Sequence, residues 1–312
     1  MKVSILMITY NHERYISQAL NSILMQKVDF DYEIVIGEDC SKDSTRNIIL
    51  RYRDMYPDKI RLLDSDKNIG MLGNYVRTFQ ACRGAYIAVL DGDDFWTSPD
   101  KLRKQVEYLD AHPECTMCFH PVSGFHEENG ETVLMAPHYR KEEYELGDLL
   151  AMNFILNSSV MYRNGILVEF PSWWFSVEMT DWTTHILHAQ HGGVGFIDEN
   201  MGVYRIHSNG VWSTQNAVER IQGNIKVYDL INKHLNYIHD KKLRMFMSNG
   251  YFELSLLFYD SGNLKMARDF VIKCFTTYPF NRNISRSVQI KTFIKLNMVW
   301  LYDRMKTNLF SL

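Results

Sequence analysis

Three carboxylates fall within four positions in the segment Val89-Leu90-Asp91-Gly92-Asp93-Asp94-Phe95-Trp96, directly after a short apolar run. Like charges this close repel and raise one another's pKa values unless a cation or a hydrogen-bond donor offsets them. Hard divalent ions take oxygen ligands, so Mn2+ or Mg2+ matches the group. The plain alternative is an acidic turn that solvates its charges and caps the helix after Pro99. A second acidic segment, Gly37-Glu38-Asp39-Cys40-Ser41-Lys42-Asp43-Ser44-Thr45, also follows an apolar run. The Asp39 carboxylate can accept the imide N–H of a uracil or thymine ring, while Asp43 or Ser44 suits the N-cap of the helix that follows.

Such residues act together only if strand ends are brought side by side. Val3–Thr9, Tyr32–Glu38, Ile60–Leu63 and residues 85–90 read as short buried strands, separated by segments with helical spacing or caps. The helices are expected to begin near Glu13, at Thr45, near Gly73 after Asn68-Ile69-Gly70, and after Ser98-Pro99. This alternation predicts a parallel, doubly wound α/β layer, in which ligands bind beyond the carboxyl ends of the strands. Those ends are Thr9-Tyr10-Asn11, Glu38-Asp39 and Asp91-Gly92-Asp93-Asp94.

From about Asn216 the spacing turns continuously helical. Tyr251, Leu254, Leu257, Phe258, Gly262-Asn263, Ala267, Phe270, Val271, Cys274 and Pro279 resemble one tetratricopeptide-like hairpin. The predicted division is therefore a catalytic domain over 1–215 and a helical appendage over 216–312. In its tail Ile290, Ile294, Met298, Leu301, Met305 and Leu309 would share one face flanked by Lys291, Lys295 and Lys306. That face suits packing on the hairpin or peripheral contact with an anionic membrane.

With 46% hydrophobic residues in 312, the chain can bury a full core. A net charge of -3 offers no general attraction to nucleic acid. No stretch reaches the roughly 18 apolar residues of a membrane span, and the first apolar run is too short for an export signal. Five scattered cysteines form no disulfide framework. The expected location is cytoplasmic, with any membrane contact peripheral on the inner face of the plasma membrane. No signal bears on oligomeric state.

From Lys2 to about Ser213 the chain resembles the family 2 glycosyltransferases of GT-A (Rossmann-like) fold. Ile8-Thr9-Tyr10-Asn11-His12 is similar to the family's opening strand and turn, which holds base and ribose. Glu38-Asp39-Cys40-Ser41-Lys42-Asp43-Ser44-Thr45 resembles its aspartate–serine–aspartate segment, departing at Glu38 and Cys40. Asn68-Ile69-Gly70 resembles its asparagine–glycine turn, and Asp91-Gly92-Asp93-Asp94 its D-x-D site. Glu178-Met179-Thr180-Asp181-Trp182 resembles the segment that supplies the catalytic base, departing at Thr180, and 203–213 resembles the closing loop.

The resemblance implies nucleotide binding by Thr9, Tyr10, Asn11, Asp39, Asn68, Asp91 and Arg205. It implies a metal site at Asp93, Asp94 and His207, a base at Asp181, and acceptor contacts at Trp182 and Trp212. The implied reaction is inverting transfer of a sugar from a nucleotide-diphosphate donor to a hydroxyl of a glycan or lipid-linked acceptor, in cell-surface polysaccharide synthesis. A sugar nucleotidyltransferase is the first alternative, but it usually shows a glycine-rich basic loop where this chain has Tyr10-Asn11-His12-Glu13-Arg14. A non-catalytic sugar-nucleotide-binding scaffold is the second, and the full set of carboxylates argues against it.

Three further patterns have bland readings. Cys115 and Cys118 have C-x-x-C spacing, yet they fall on a short strand with no second pair nearby and read as core thiols. His185, His188 and His191 are spread around a helix, which predicts two in solvent and one packed. Trp173 and Trp174 suit either an acceptor sugar or the core.

Overall fold

The computed structural model describes residues 1–137, 140–208, 210, 215–279, 281, 283–284 and 290–297. It divides into two compact units, Met1–Ser176 with Thr180–Ser213, and Val177–Met179 with Thr214–Leu312. The first unit runs β1 (Val3–Thr9), α1 (Ile16–Leu24), β2 (Tyr32–Glu38), α2 (Thr45–Met55), β3 (Ile60–Leu63), α3 (Gly70–Ala81), β4 (Tyr86–Val89), β5 (Phe95–Trp96) and α4 (Lys101–Ala111). It continues with β6 (Cys115–Phe119), β7 (Val122–His126), β8 (Thr132–Met135), β9 (Glu143–Tyr144), α5 (Leu146–Leu149), β10 (Met161–Arg163), α6 (Thr180–Ala189), β11 (Gly193–Phe196) and β12 (Gly202–Ile206).

Eight strands form one sheet in the order β3-β2-β1-β4-β10-β6-β11-β9, and β5-β12-β7-β8 form a second, smaller sheet. Strands β1 to β4 pair in parallel, as the alternation predicts. Helices cover both faces, so β1 and β2 are buried almost throughout and read as continuous apolar runs. Beyond β4 the sheet becomes mixed, because β10 is antiparallel to both β4 and β6. Strand β10 has three residues and enters from a 3-10 turn at Asn157–Ser159, with no crossover helix to impose the parallel direction.

Cys115 and Cys118 are fully buried free thiols in the main core. The histidine expectation is corrected, since His185 and His188 are both buried and only His191 is exposed. Helix α6 is enclosed on nearly every side, with nine of its ten residues buried. The Tyr162 hydroxyl lies 2.6 Å from His185 Nδ1, whose ring partner Nε2 faces the Ile155 carbonyl at 3.1 Å. Trp174 joins the core, whereas Trp173 is half-buried.

Lys101 is wholly buried, its Nζ donating to Gln105 Oε1 at 2.7 Å and lying 3.9 Å from the Trp96 ring centroid. Burial pushes its ammonium down to about 7. The unfolded chain therefore holds that proton more strongly, and stability falls as pH drops from 10.5 towards 7, then levels off. The slope is about 1.4 kcal/mol per pH unit. Lys101→Met should remove it, so its melting temperature gains on the parent as pH is lowered through that window. A difference independent of pH would refute this.

The second unit holds α7 (Ala217–His234), α8 (Asp240–Asp260) and α9 (Leu264–Thr277), with a further helical stretch over 290–297. Helices α8 and α9 make the expected hairpin. Gly262 turns it at φ +79, and the Asn263 side chain accepts from Met266 N–H. Leu254 and Phe270 pack with Ile225 of α7. The tail packs differently from the expected face. Leu296 and Phe293 meet Ala267 and Val271, while Ile290 and Ile294 are exposed. Met298, Leu301, Met305, Lys306 and Leu309 lie outside the described residues.

Candidate active site

Strands β1 and β2 are paired in register from Val3↔Tyr32 to Thr9↔Glu38, which brings their two loops together. The loops are then stitched. Asn11 N–H donates to Ser41 Oγ, Lys42 N–H to Asn11 Oδ1, His12 N–H to Thr45 Oγ1 and Ser44 N–H to Glu13 Oε2. Asn11 and Cys40 take left-handed backbone angles, φ 57 and φ 59, at the two bends. On the other side of β1, Gly92 N–H donates to the Ile8 carbonyl at 3.1 Å and seats the acidic turn against Thr9 and His12.

That seating needs a glycine. A Cβ at Gly92 would stand 2.8 Å from both His12 Nδ1 and Thr9 Oγ1, closer than real contacts allow. Gly92→Ala should cost about 1–3 kcal/mol and lower the melting temperature by roughly 3 °C or more. An unchanged melting curve would show that the turn sits elsewhere.

The three carboxylates of the turn have different surroundings. Asp94 is 3% exposed and accepts the Arg205 N–H at 2.9 Å. Burial, then the charges of Asp93 and Asp91, push it well above the ordinary carboxylate range. Asp93 faces two imidazoles, His207 Nε2 at 3.2 Å and His12 Nε2 at 3.7 Å from the same Oδ2. Burial alone would raise Asp93, but the His207 hydrogen bond and the His12 and His207 charges outweigh it and hold the group below its usual value. Asp91 accepts from Asn157 Nδ2 at 3.1 Å and is pushed up to about 7 by burial and by Asp93, with a smaller push from Asp181.

Asp181 stands in the first turn of α6, where Asn153 Nδ2 donates to its Oδ2 at 2.8 Å. Burial raises it above the ordinary carboxylate range. The Tyr204 phenol on β12 is raised by burial first and then by Asp94, Asp93, Asp181 and Asp91. All four carboxylates therefore act on one side chain.

Five buried polar atoms belonging to this cluster have no hydrogen-bond partner: Thr9 Oγ1, His12 Nδ1, Asp91 Oδ1, Asn157 Oδ1 and His207 Nδ1. Each such group costs about 1–3 kcal/mol when left unpaired. Their concentration around one turn marks a place built for a ligand.

Several residues expected at the nucleotide are engaged within the protein. Asp39 is 2% exposed, and its two oxygens accept Ile69 N–H at 2.8 Å and Gly70 N–H at 2.9 Å. Each oxygen keeps one lone pair for a further donor. Asn68 accepts Gly70 N–H in its own turn, and Tyr10 is half-buried at the end of β1. Arg205, expected at the nucleotide, is likewise engaged within the protein. Its guanidinium lies 4.9 Å from the Tyr15 ring and 5.3 Å from Phe95, while Nε donates to the Asp93 carbonyl and Nη2 to Gln18. Arg205 thus clamps the acidic turn from within. Trp182, expected at the acceptor, is 2% exposed with its indole N–H donating to the Leu149 carbonyl at 2.8 Å. Trp212 lies outside the described residues.

Sequence reasoning missed four members of the site. His12 was visible within the opening turn, but its partner Asp93 lies far along the chain. Asn153 and Asn157 sit in an unpatterned stretch between α5 and β10, and Tyr204 looks like an ordinary strand residue. Among the described residues, the one cluster of three metal-binding side chains with all ligand atoms within 4.8 Å is Glu114, Cys115 and Glu143. Its thiol is pushed up to about 11 by burial, which makes it a poor ligand.

A mixed sheet with carboxylates at the strand ends, extended by a second small sheet, is the GT-A fold. A structure of Staphylococcus aureus TarS in complex with UDP-GlcNAc superposes with a TM-score of 0.54 at 19% identity, over 95% of this chain and 81% of that one. The mannosyltransferase PcManGT of Pyrobaculum calidifontis, in complex with GDP-Man and Mn2+, gives 0.54 at 15% identity over 97% and 87%. At these identities the likeness establishes the fold alone.

Residues 4–169 match the sequence profile of glycosyl transferase family 2, and the chain belongs to that family. An uncharacterized protein of Mycobacterium tuberculosis is 40% identical over 211 residues, which are 67% of this chain and 60% of that relative. The alignment thus spans less than two thirds of that relative's length. TarS, a poly(ribitol-phosphate) beta-N-acetylglucosaminyltransferase, is 32% identical over 115 residues, 36% of this chain and 19% of its own.

Proposed function

We propose that this protein is a metal-dependent, inverting glycosyltransferase that moves a sugar from a nucleotide-diphosphate donor to a hydroxyl of a glycan or lipid-linked acceptor, in cell-surface polysaccharide synthesis. The observation that carries this reading is the contrast between two carboxylates in one electrostatic field. Asp93 is held below its usual value by two imidazoles, while Asp181, on a separate helix, is raised above its usual value by burial. Family membership and neighbours named for nucleotide-sugar complexes support it.

The residues around Asp93 suit a divalent ion. One carboxylate and the imidazole Nε2 atoms that face it offer oxygen and nitrogen donors, a combination that favours manganese over magnesium. Asp93 and His207 would hold the ion, with His12 beside Asp93, and Asp94 is set aside for the Arg205 backbone. When bound, the ion supplies positive charge to the departing diphosphate.

The remaining roles belong to side chains. Asp39 and the Thr9–Asn11 turn border the crevice for base and ribose. Asp91, protonated for part of the time near neutral pH, can donate or accept towards the nucleoside. Asp181, oriented by Asn153, takes the acceptor hydroxyl's proton as that oxygen attacks the anomeric carbon. One base and one displacement invert the configuration. Trp182 anchors α6 and so fixes where Asp181 stands.

A panel of UDP- and GDP-sugars scored by thermal shift tests the donor class. One donor should raise the melting temperature in manganese and lose most of that effect in chelator. Equal shifts with and without metal would reject the metal's part in donor binding.

A further inference from the structure

Successive side chains of a strand point to opposite faces of a sheet. Tyr204 of β12 feels the charges of Asp94, Asp93, Asp181 and Asp91, so its neighbours Val203 and Arg205 belong to the other face. Register carries that face across the small sheet, with Phe95, Val203, Ser123 and Leu134 in one row and Arg205, Phe125 and Thr132 in the next. Helix α1 reaches it through Gln18. A hollow of about 390 Å³ remains, floored by Phe95, Val203 and Phe125 and rimmed by Gln18, Ser123 and Thr132, with Arg205 in its wall. That volume lies in the range of small-ligand sites.

Arg205 is 9% exposed. Its Nε donates to the Asp93 carbonyl and its Nη2 to Gln18 Oε1, both neutral acceptors. The rings of Tyr15, Phe95 and Phe125 stand 4.9, 5.3 and 5.9 Å from the guanidinium carbon. Among the described residues no carboxylate pairs with this side chain, and Nη1 donates to nothing. Glu127, which shares Tyr15 with it, is taken up by the Tyr15 hydroxyl at 2.8 Å and by Arg14 at 3.2 Å. A buried cation without a counter-ion is costly, and an anion entering the hollow relieves that cost.

The floor and the rim specify the rest of the ligand. Phenylalanine rings take apolar C–H faces, whereas hydroxyl and amide groups take hydroxyls. Ser123 Oγ accepts from Asn200 Nδ2 at 2.7 Å, so its own proton is free to donate. A flat aromatic acid would use the floor and the guanidinium and leave the rim unmatched. A sugar ring bearing a carboxylate uses all of them.

We infer that this hollow binds an acidic sugar residue, its carboxylate on Arg205, its C–H face on Phe95 and Phe125 and its hydroxyls on Gln18, Ser123 and Thr132. The site lies on the reverse of β12 from the four carboxylates, and it stands apart from the transferase reading, so either can fail alone.

The test is saturation-transfer NMR of the full chain with glucuronic acid, glucose and benzoate, each repeated with excess UDP and manganese. Glucuronic acid should bind roughly tenfold or more tightly than glucose, which lacks the carboxylate, and than benzoate, which lacks the hydroxyls. UDP with manganese should not displace it. Thr132→Glu, at an exposed position on the rim, sets a like charge against the ligand and should weaken glucuronic acid by roughly tenfold with the melting curve unchanged. Phe125→Ala, which removes one floor ring, should weaken it by roughly fivefold. No transfer to glucuronic acid, equal binding of glucose or benzoate, displacement by the nucleotide, or undiminished binding in Thr132→Glu would each overturn the site.

Discussion

Asp93→Ala should lower sugar transfer by about 10³-fold or more and abolish the dependence of nucleotide binding on manganese. Asp93 is the turn carboxylate that both imidazoles approach, through His207 at 3.2 Å and His12 at 3.7 Å. Removing it takes away the anionic member of the donor set. Asp94→Ala provides the contrast. Its oxygen accepts the Arg205 N–H, so its loss should appear first as a lower melting temperature, with metal-dependent binding retained. Calorimetry of nucleoside diphosphate with and without manganese separates the two. Full metal dependence in Asp93→Ala would move the ion away from this turn.

Asp181→Asn should keep donor affinity and lower turnover by about 10²-fold or more. The variant retains the shape and the Asn153 contact region while removing the proton acceptor. The pH profile adds a second signature. Burial holds the Asp181 carboxyl above its ordinary value, so its basic form is lost as pH falls through a point higher than a free aspartate would give. The acid limb of kcat should therefore lie above the usual carboxylate range in the parent and vanish in Asp181→Asn. Near-normal turnover with an unchanged acid limb would assign the base to another group.

The half of the fold built on β1 to β4 was legible because its signals are local. Buried runs of about seven residues and the Asp43-Ser44 pair before Thr45 need no distant partner to be recognised. Strands β5, β9 and β10 have two, two and three residues, too short for a period, and each is defined by a neighbour far along the chain. The chemistry divides in the same way. Three carboxylates in four positions declare themselves, whereas the way Asp39 grips the Ile69-Gly70 turn and Arg205 grips Asp93 depends on contacts 30 and 112 residues apart. His185 and His188 were misplaced because a surface helix was assumed, and α6 is an enclosed one.

The most direct test is to make product from a nucleotide sugar of known anomeric configuration, read the new glycosidic linkage by proton NMR, and identify the released nucleotide in the same sample. Inverted configuration with nucleoside diphosphate released, both suppressed by chelator and by Asp181→Asn, is the expected result. Retained configuration, or release of pyrophosphate, would contradict single displacement assisted by Asp181 at a metal-bearing Asp93 site.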